Sequence, residues 1–181
     1  MAINTVTQRN TLATAYGTAG AYIGLLSALT LQGAISIGAV SFSSDLSVAV
    51  GDTVVFDQGL STQEARVVSA VTGTGPYAVT VPATTFAHSA GALISHLPAA
   101  ATGHELVGGA YARVASGWGS VDNSAIVSTP TPINVPIGAK VGSVAIFSAI
   151  SAGAYLDASA VAGQFFATAG TYTPTYTYTQ V

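Results

Sequence analysis

The chain has 181 residues, of which seven are acidic and four basic, so charged residues make up only 6% of it, against about 25% in ordinary soluble domains. Cysteine is absent and the bases (Arg9, Arg66, Arg113 and Lys140) are scattered, which excludes a disulfide framework, a cysteine metal site and a basic patch for nucleic acid. The surface must instead be rich in Ser, Thr, Ala and Gly. Burial of these uncharged residues costs little free energy of desolvation, which favours extensive assembly. Because no apolar run approaches 18 residues, we expect no membrane insertion.

One short helix is predicted at the start of the chain. Thr5 and Gln8 have the spacing of a capping box, and apolar residues recur at helical intervals from Val6 to Tyr16. Gly17 and Gly20 are expected to stop the pattern. After them come brief runs rich in Val, Ile, Tyr, Phe and Thr, each closed by Gly, Pro, Asn or Asp, which are typical of strands.

The next region, residues 33–97, predicts an inserted small β-barrel. Its five candidate strands are separated by turn signals and read AISIGAV, DTVVFD, EARVVSAV, PYAVTV and GALISHL. The connections at residues 29–32 and 98–103 are rich in small or polar residues, so we expect the insert to be joined through them.

Residues 1–32 and 98–181 predict the main unit of this all-β chain, into which the barrel is inserted: an eight-stranded antiparallel β-sandwich of jelly-roll or Ig-like type that carries the N-terminal helix. The strand after the helix is expected to join seven later ones. These later candidates read GAYARVAS, NSAIVS, PINVP, GSVAIFSA, AYLDASAV, GQFFATA and TYTPTYTYT.

The last of these segments alternates strictly. Residues 171–179 place Tyr172, Pro174, Tyr176 and Tyr178 on one face of a strand and five threonines on the other, and we expect the tyrosine face to be buried. Pro174 cannot donate to a ladder, which suits an edge strand or one that crosses to a partner subunit. Two interpretations stay open: an ordinary aromatic core face, or a subunit interface.

Three histidines are candidates for a metal site. His88, His96 and His104 are eight residues apart each time, a spacing that fits neither a helical metal site nor a compact loop. Surface or interface positions are the favoured interpretation, and no metal or other cofactor is expected.

The carboxylates Asp52, Asp57 and Glu64 lie near turns of the insert, where turn chemistry is favoured over a hydrolase pair or a calcium site. No GxSxG, P-loop or HExxH pattern occurs, so nothing favours an enzyme and no catalytic residue is assigned.

The segment GGAYARVASGWG supplies the other candidate interface residues, Tyr111, Arg113 and Trp118. An arginine near aromatic rings either stacks on one of them or pairs with an acid, here Glu105. Because charged residues are so rare in this chain, we expect this arginine to have a structural role, in which it orients neighbouring groups of the fold.

Three stretches carry a resemblance to a known family: MAINTVTQRNTLATAYG at the start, ELVGGAYARVASGWG at residues 105–119 and AGTYTPTYTYTQV at the end. They resemble structural proteins of tailed bacteriophages, of the actinobacteriophage type, which are capsid decoration, head-fibre, tail-fibre or minor tail proteins. The insert, with SVAVGDTVVFDQG and GTGPYAVTV, looks like a module of related virion proteins. Simpler members run directly from the first strand to the Glu-Gly-Gly-Tyr-Arg region, so the exposed face and partners of this chain are expected to differ from theirs.

The resemblance implies a non-enzymatic virion protein, made in the host cytoplasm. The first expectation is a capsid decoration protein that binds the major capsid protein and stabilises the head. The alternative is a tail-fibre or minor tail protein that contacts the host surface. The expected form is a homotrimer, since accessory proteins of capsid shells usually bind at threefold positions.

Overall fold

The computed structural model describes residues 5–99 and 104–180, which form one helix and fifteen strands. The helix, α1, spans Val6–Ala19. The strands are β1 (Tyr22–Ser27), β2 (Leu29–Thr30), β3 (Ser41–Ser44), β4 (Thr53–Phe56), β5 (Glu64–Val67), β6 (Ala70–Thr72), β7 (Tyr77–Thr80), β8 (Leu93–Leu97), β9 (Val114–Ala115), β10 (Ala125–Val127), β11 (Ile133–Val135), β12 (Lys140–Phe147), β13 (Tyr155–Phe165), β14 (Gly170–Tyr172) and β15 (Thr177–Thr179). The predicted all-β class with a short N-terminal helix is therefore confirmed. The only helix in the described part of the chain is not long enough to cross a membrane.

Helix α1 begins as its sequence predicts and ends before Gly20, the second of the two predicted stops, but it does not end at Gly17. The Thr5 hydroxyl accepts a hydrogen bond from the Gln8 amide, which satisfies one of the free donors of the first turn. The helix continues through Gly17, where a Cβ would lie only 2.8 Å from Cδ1 of Ile126. The role of this glycine is therefore to let the helix approach β10 closely, and not to end the helix.

The first unit, residues 5–28 and 104–180, is built around a four-stranded antiparallel sheet with the order β13-β12-β1-β9. Strand β1 pairs with β12 in a register that sets Leu25 opposite Val144. Core clusters cover both faces of these two central strands, so β12 is buried from Val141 to Phe147. Fully buried strands read as continuous apolar runs, which is how both appear in the sequence.

Two short ribbons, β10-β15 and β11-β14, complete the first unit. Ile133 and Val135 of β11 share one core with Ile23 and Leu25 of β1, which gives a sandwich-like arrangement. The unit has eight strands, but their bounds differ from the predicted ones. The two runs between Ala154 and Ala169 merge into the single strand β13, and the terminal segment breaks into β14 and β15 around Pro174.

The second unit, residues 29–99, consists of a four-stranded sheet, β2-β8-β4-β5, and a three-stranded sheet, β3-β7-β6. The sheets enclose one apolar core that contains Leu29, Phe42, Phe56, Val79 and Ile94. The described residues form no closed barrel, so the predicted barrel is corrected to two sheets around a common core. The predicted strand at residues 34–40 is also absent, because a turn with Gly38 at a φ of +81° interrupts it.

The boundary between the units also differs from the predicted one. The prediction places residues 29–32 in the sandwich, but β2 pairs with β8, and Leu29 and Leu31 belong to the core of the second unit. The two units share a packed junction: the Ser143 hydroxyl donates to the carbonyl of His96, and the Ser95 hydroxyl donates to that of Val161. The insert is therefore anchored to the sandwich through β8.

Candidate functional site

An aromatic cluster fixes α1 to the first unit and contains three of the predicted interface residues. Trp118 donates its indole N–H to the carbonyl of Gly20, and its ring contacts Tyr16 and Tyr176 edge to face. The ring of Tyr178 stacks on Tyr16 at 3.8 Å between centroids. The cluster therefore joins the two ends of the described chain within one subunit.

Tyr176 is the buried centre of this cluster. Its hydroxyl donates to Asp157 at 2.6 Å and lies 3.4 Å from the hydroxyl of Tyr16. Burial and these hydrogen bonds raise the pKa of Tyr176 far above its ordinary value, and burial raises that of Tyr16 to about 12. Both phenols therefore stay neutral and serve as packing groups and hydrogen-bond donors.

The alternation predicted for the terminal segment is present over its whole length. Tyr172, Pro174, Tyr176 and Tyr178 are buried or half-buried, whereas the threonines between them are exposed. Within one subunit the tyrosine face closes the core of the first unit, and Tyr172 packs at its margin. These contacts agree with the interpretation of an aromatic core face. The interface role of the tyrosines stays a prediction.

Tyr111 and Arg113 form the second cluster, together with Glu105. The guanidinium of Arg113 makes two hydrogen bonds to the Glu105 carboxylate, each 2.7 Å long, and lies 3.6 Å from the centroid of the Phe147 ring. The predicted pairing with Glu105 is therefore present, and the stacking partner is Phe147 rather than a neighbouring aromatic residue. Pairing with Glu105 raises the pKa of Arg113, so its charge is permanent.

Sequence reasoning missed Gly24, which makes room for this cluster. A Cβ on Gly24 would lie 2.8 Å from the Phe147 ring and 2.9 Å from the Tyr111 hydroxyl. That hydroxyl accepts from the amide of Leu25 and donates to Glu105. The available signal was a glycine within the apolar strand YIGLLS, which commonly marks a close approach.

The second unit places its histidines against its carboxylates. The buried ring of His88 lies between Asp57, at 2.8 Å from Nδ1, and Glu64, at 2.6 Å from Nε2, and Glu64 also pairs with Arg66. His96 is equally buried, with Nε2 2.7 Å from Asp52. The surface positions expected for these histidines are therefore wrong. Asp52 and Glu64 accept from backbone amides as well as contacting histidines, and Asp57 accepts from the Thr62 hydroxyl as well as contacting His88.

No metal site emerges from these clusters. Among residues 5–99 and 104–180, no group of three or more His, Asp or Glu side chains converges to hold a metal ion. Ser124 accepts a hydrogen bond from Arg9, and Asp45 pairs with Lys140 at 2.7 Å. The bases thus contact groups of the same subunit, and the described clusters have the geometry of structural ties.

We predict that acid destabilises the second unit below pH about 4.5 through Asp52 and Glu64. Burial opposes their ionisation, but hydrogen bonds from backbone amides and from the histidines outweigh it and lower both pKa values in the folded state. Their contribution to stability is present above the ordinary carboxylate values and is lost as the pH falls through the folded ones. Calorimetry between about pH 6 and 3 should show a falling melting temperature. A constant melting temperature over this range would contradict the prediction.

An exposed apolar surface lies beside the Arg113 cluster, and we call it the Val107 surface: residues 105–110, 134–139 and 150–152. It surrounds three adjoining open depressions. The one between residues 107–110 and 134–137 has a volume of about 480 Å³. Val107, which lines all three, is 83% exposed, and Ile137 and Ile150 are 69% and 57% exposed. Sequence reasoning missed this surface, because its residues come from three separate segments of the chain.

The charges around the Val107 surface are already paired within the chain. Glu105 binds Arg113 on one side, and Asp45 binds Lys140 on another. An exposed apolar patch with neutralised borders is typical of a surface that contacts another protein.

Comparison of the chain with protein-family models, with curated proteins and with solved structures found no match.

Proposed function

We propose that the chain is a non-enzymatic structural protein of a bacteriophage particle, a decoration protein that binds the head shell through the Val107 surface. The observation that carries the proposal is the set of exposed apolar side chains on this surface, between ion pairs that are already satisfied. Such a surface fits a neutral, apolar face of the major capsid protein. It also suits the low charge of the whole chain, since covering it desolvates few unpaired charges.

Stabilisation of the shell would need no bond chemistry. A protein that binds only the assembled shell lowers the free energy of that shell. The contributions of many bound copies add up. A homotrimer would multiply the contacts at threefold positions, and sedimentation of the purified protein would test this form. The clusters of paired ionisable groups in the described residues support such a passive role.

The test compares two exposed isoleucines. Ile137→Asp should weaken reattachment to particles that lack the protein by at least about tenfold, because a carboxylate would be buried in an apolar contact. The control Ile37→Asp makes the same change at a residue of the second unit that is 71% exposed, and it should leave reattachment unchanged. Both variants should keep the melting temperature of the parent protein, since exposed positions tolerate substitution.

The same experiment locates the protein. Gold-labelled protein on particles should decorate the head, whereas label on the tail would replace the decoration role by the tail-fibre or minor tail role. Equal losses for both isoleucine variants, or a loss for Ile37→Asp alone, would show that the Val107 surface is not the docking site.

A further inference from the structure

His96 has a buried ring nitrogen without a partner in the described structure. The imidazole is fully buried, and its Nε2 lies 2.7 Å from the carboxylate of Asp52. Its Nδ1 has no hydrogen-bond partner among residues 5–99 and 104–180. A neutral ring that donates from Nε2 and leaves a lone pair on Nδ1 fits this environment. A ring protonated on both nitrogens would bury an N–H without an acceptor.

A second histidine packs directly against this ring. The imidazole of His104 is perpendicular to that of His96, with 4.7 Å between the centroids. Burial lowers the pKa of His96 in spite of Asp52, and burial together with the neighbouring His96 lowers that of His104. Both rings are therefore neutral at pH 7. A positive charge on either ring would be unfavourable, because both rings are buried.

The histidine pair lies where the two units meet. His96 belongs to β8, and its carbonyl accepts from Ser143 of β12 in the first unit. The carbonyl of His104 accepts from the amide of Ser27, the last residue of β1. The described charged or titratable groups around the pair are Asp52 on the β4 side and Tyr155 of β13, which donates to the carbonyl of Pro98.

We propose that the His96–His104 pair makes the junction between the two units acid-sensitive, so that proton uptake loosens the packing of β8 against β12. A proton on Nδ1 of His96 would be buried without a partner among the described residues. A positive charge on His104 would lie next to the ring of His96, which competes for protons. The strain falls on the contacts of His96 with the first unit, to which His104 and Ser143 belong. This inference does not depend on the proposed virion role.

The direction of the pH dependence follows from the lowered pKa values. In the loosened state both histidines regain ordinary values near 6.5, and in the closed state they bind protons only at lower pH. The closed junction is therefore fully stable above that value and loses stability as the pH falls below it. This range lies above the one in which Asp52 and Glu64 take up protons.

Hydrogen exchange measured by mass spectrometry tests the proposal on the full chain. After correction for intrinsic rates, peptides from β8 and β12 should exchange about three- to tenfold faster at pH 5.5 than at pH 7.5, since each proton taken up gives at most tenfold per pH unit. Peptides from β10 and β15, which lie outside the junction, should not respond. Nitrogen NMR of the imidazoles at pH 7.5 should show His96 neutral with its proton on Nε2.

His104→Phe is the decisive variant, because it keeps an aromatic ring against His96 and removes one of the two titrating groups. It should fold, and the acid response of its β8 and β12 peptides should become clearly smaller, because His96 is then the only titrating group of the pair. An unchanged response in His104→Phe, no response in the parent protein, or a charged His96 at pH 7.5 would each overturn the proposal. If His104→Phe fails to fold, the NMR state of His96 in the parent protein still decides.

Discussion

Glu105→Ala is expected to lower the free energy of unfolding by about 2 to 4 kcal/mol, one of the two largest losses expected from single substitutions here. The side chain of Arg113 is only 10% exposed, so removal of Glu105 leaves a nearly buried cation without its carboxylate. The phenol of Tyr111 loses its acceptor at the same time. The loss should be measured by urea unfolding at pH 7.

Asp45→Ala is the matched control, since it removes the acid of the more exposed pair with Lys140. Both side chains of that pair are about a quarter to a third exposed, and water can replace the lost contact. We expect a loss below about 1 kcal/mol. Equal losses in the free energy of unfolding for Glu105→Ala and Asp45→Ala would contradict the assignment of Arg113 as a buried charge that depends on its pairing with Glu105.

The second large effect is expected at Tyr176. Tyr176→Ala should lower the free energy of unfolding by about 2 to 4 kcal/mol, because it leaves a cavity among aromatic rings and removes the hydrogen bond to Asp157. Thr175→Ala, on the exposed face, should cost less than about 1 kcal/mol. Thermal unfolding of the isolated protein measures both.

The outcome at Tyr176 also separates a core role from an interface role. A lower melting temperature of the isolated subunit shows that the tyrosine closes the core, as the structure places it. If Tyr176→Ala reduced only attachment to particles and the melting temperature stayed unchanged, the tyrosine face would dock a partner. A larger loss at Thr175 would show that the threonine face is the buried one.

Local patterns predicted a substantial part of this structure. The capping pair Thr5 and Gln8 marked the start of the helix, and the alternation of Tyr and Thr marked the inward face of the last segment. The candidate strands of residues 52–97 mostly fall where strands lie, with the run at 64–71 split into β5 and β6. These features depend on hydrogen bonds and side-chain periods within a few residues, so a single sequence records them.

Other features depended on partners far apart in the chain. Local pattern predicts a helix stop at Gly17, but this residue packs against Ile126. Local pattern also predicts a connection at residues 29–32, but these residues contain β2, which pairs with β8. Local pattern favours exposed positions for His88 and His96, because nothing near them in the sequence indicates that Asp57, Glu64 and Asp52 contact them inside the second unit. Burial of a polar side chain depends on its partner, and the partner is set by strand pairing.

The sequence by itself determined the all-β class, the helix cap, the inward tyrosine face and the scarcity of charge. The tertiary structure alone decided the two-sheet form of the second unit, the paired histidines, and the meeting of Val107, Ile137 and Ile150 on one surface. The reason is physical. Local conformation follows from sterics and hydrogen bonds between near neighbours, whereas a core, a buried charge or a docking surface exists only when segments separated by tens of residues come into contact.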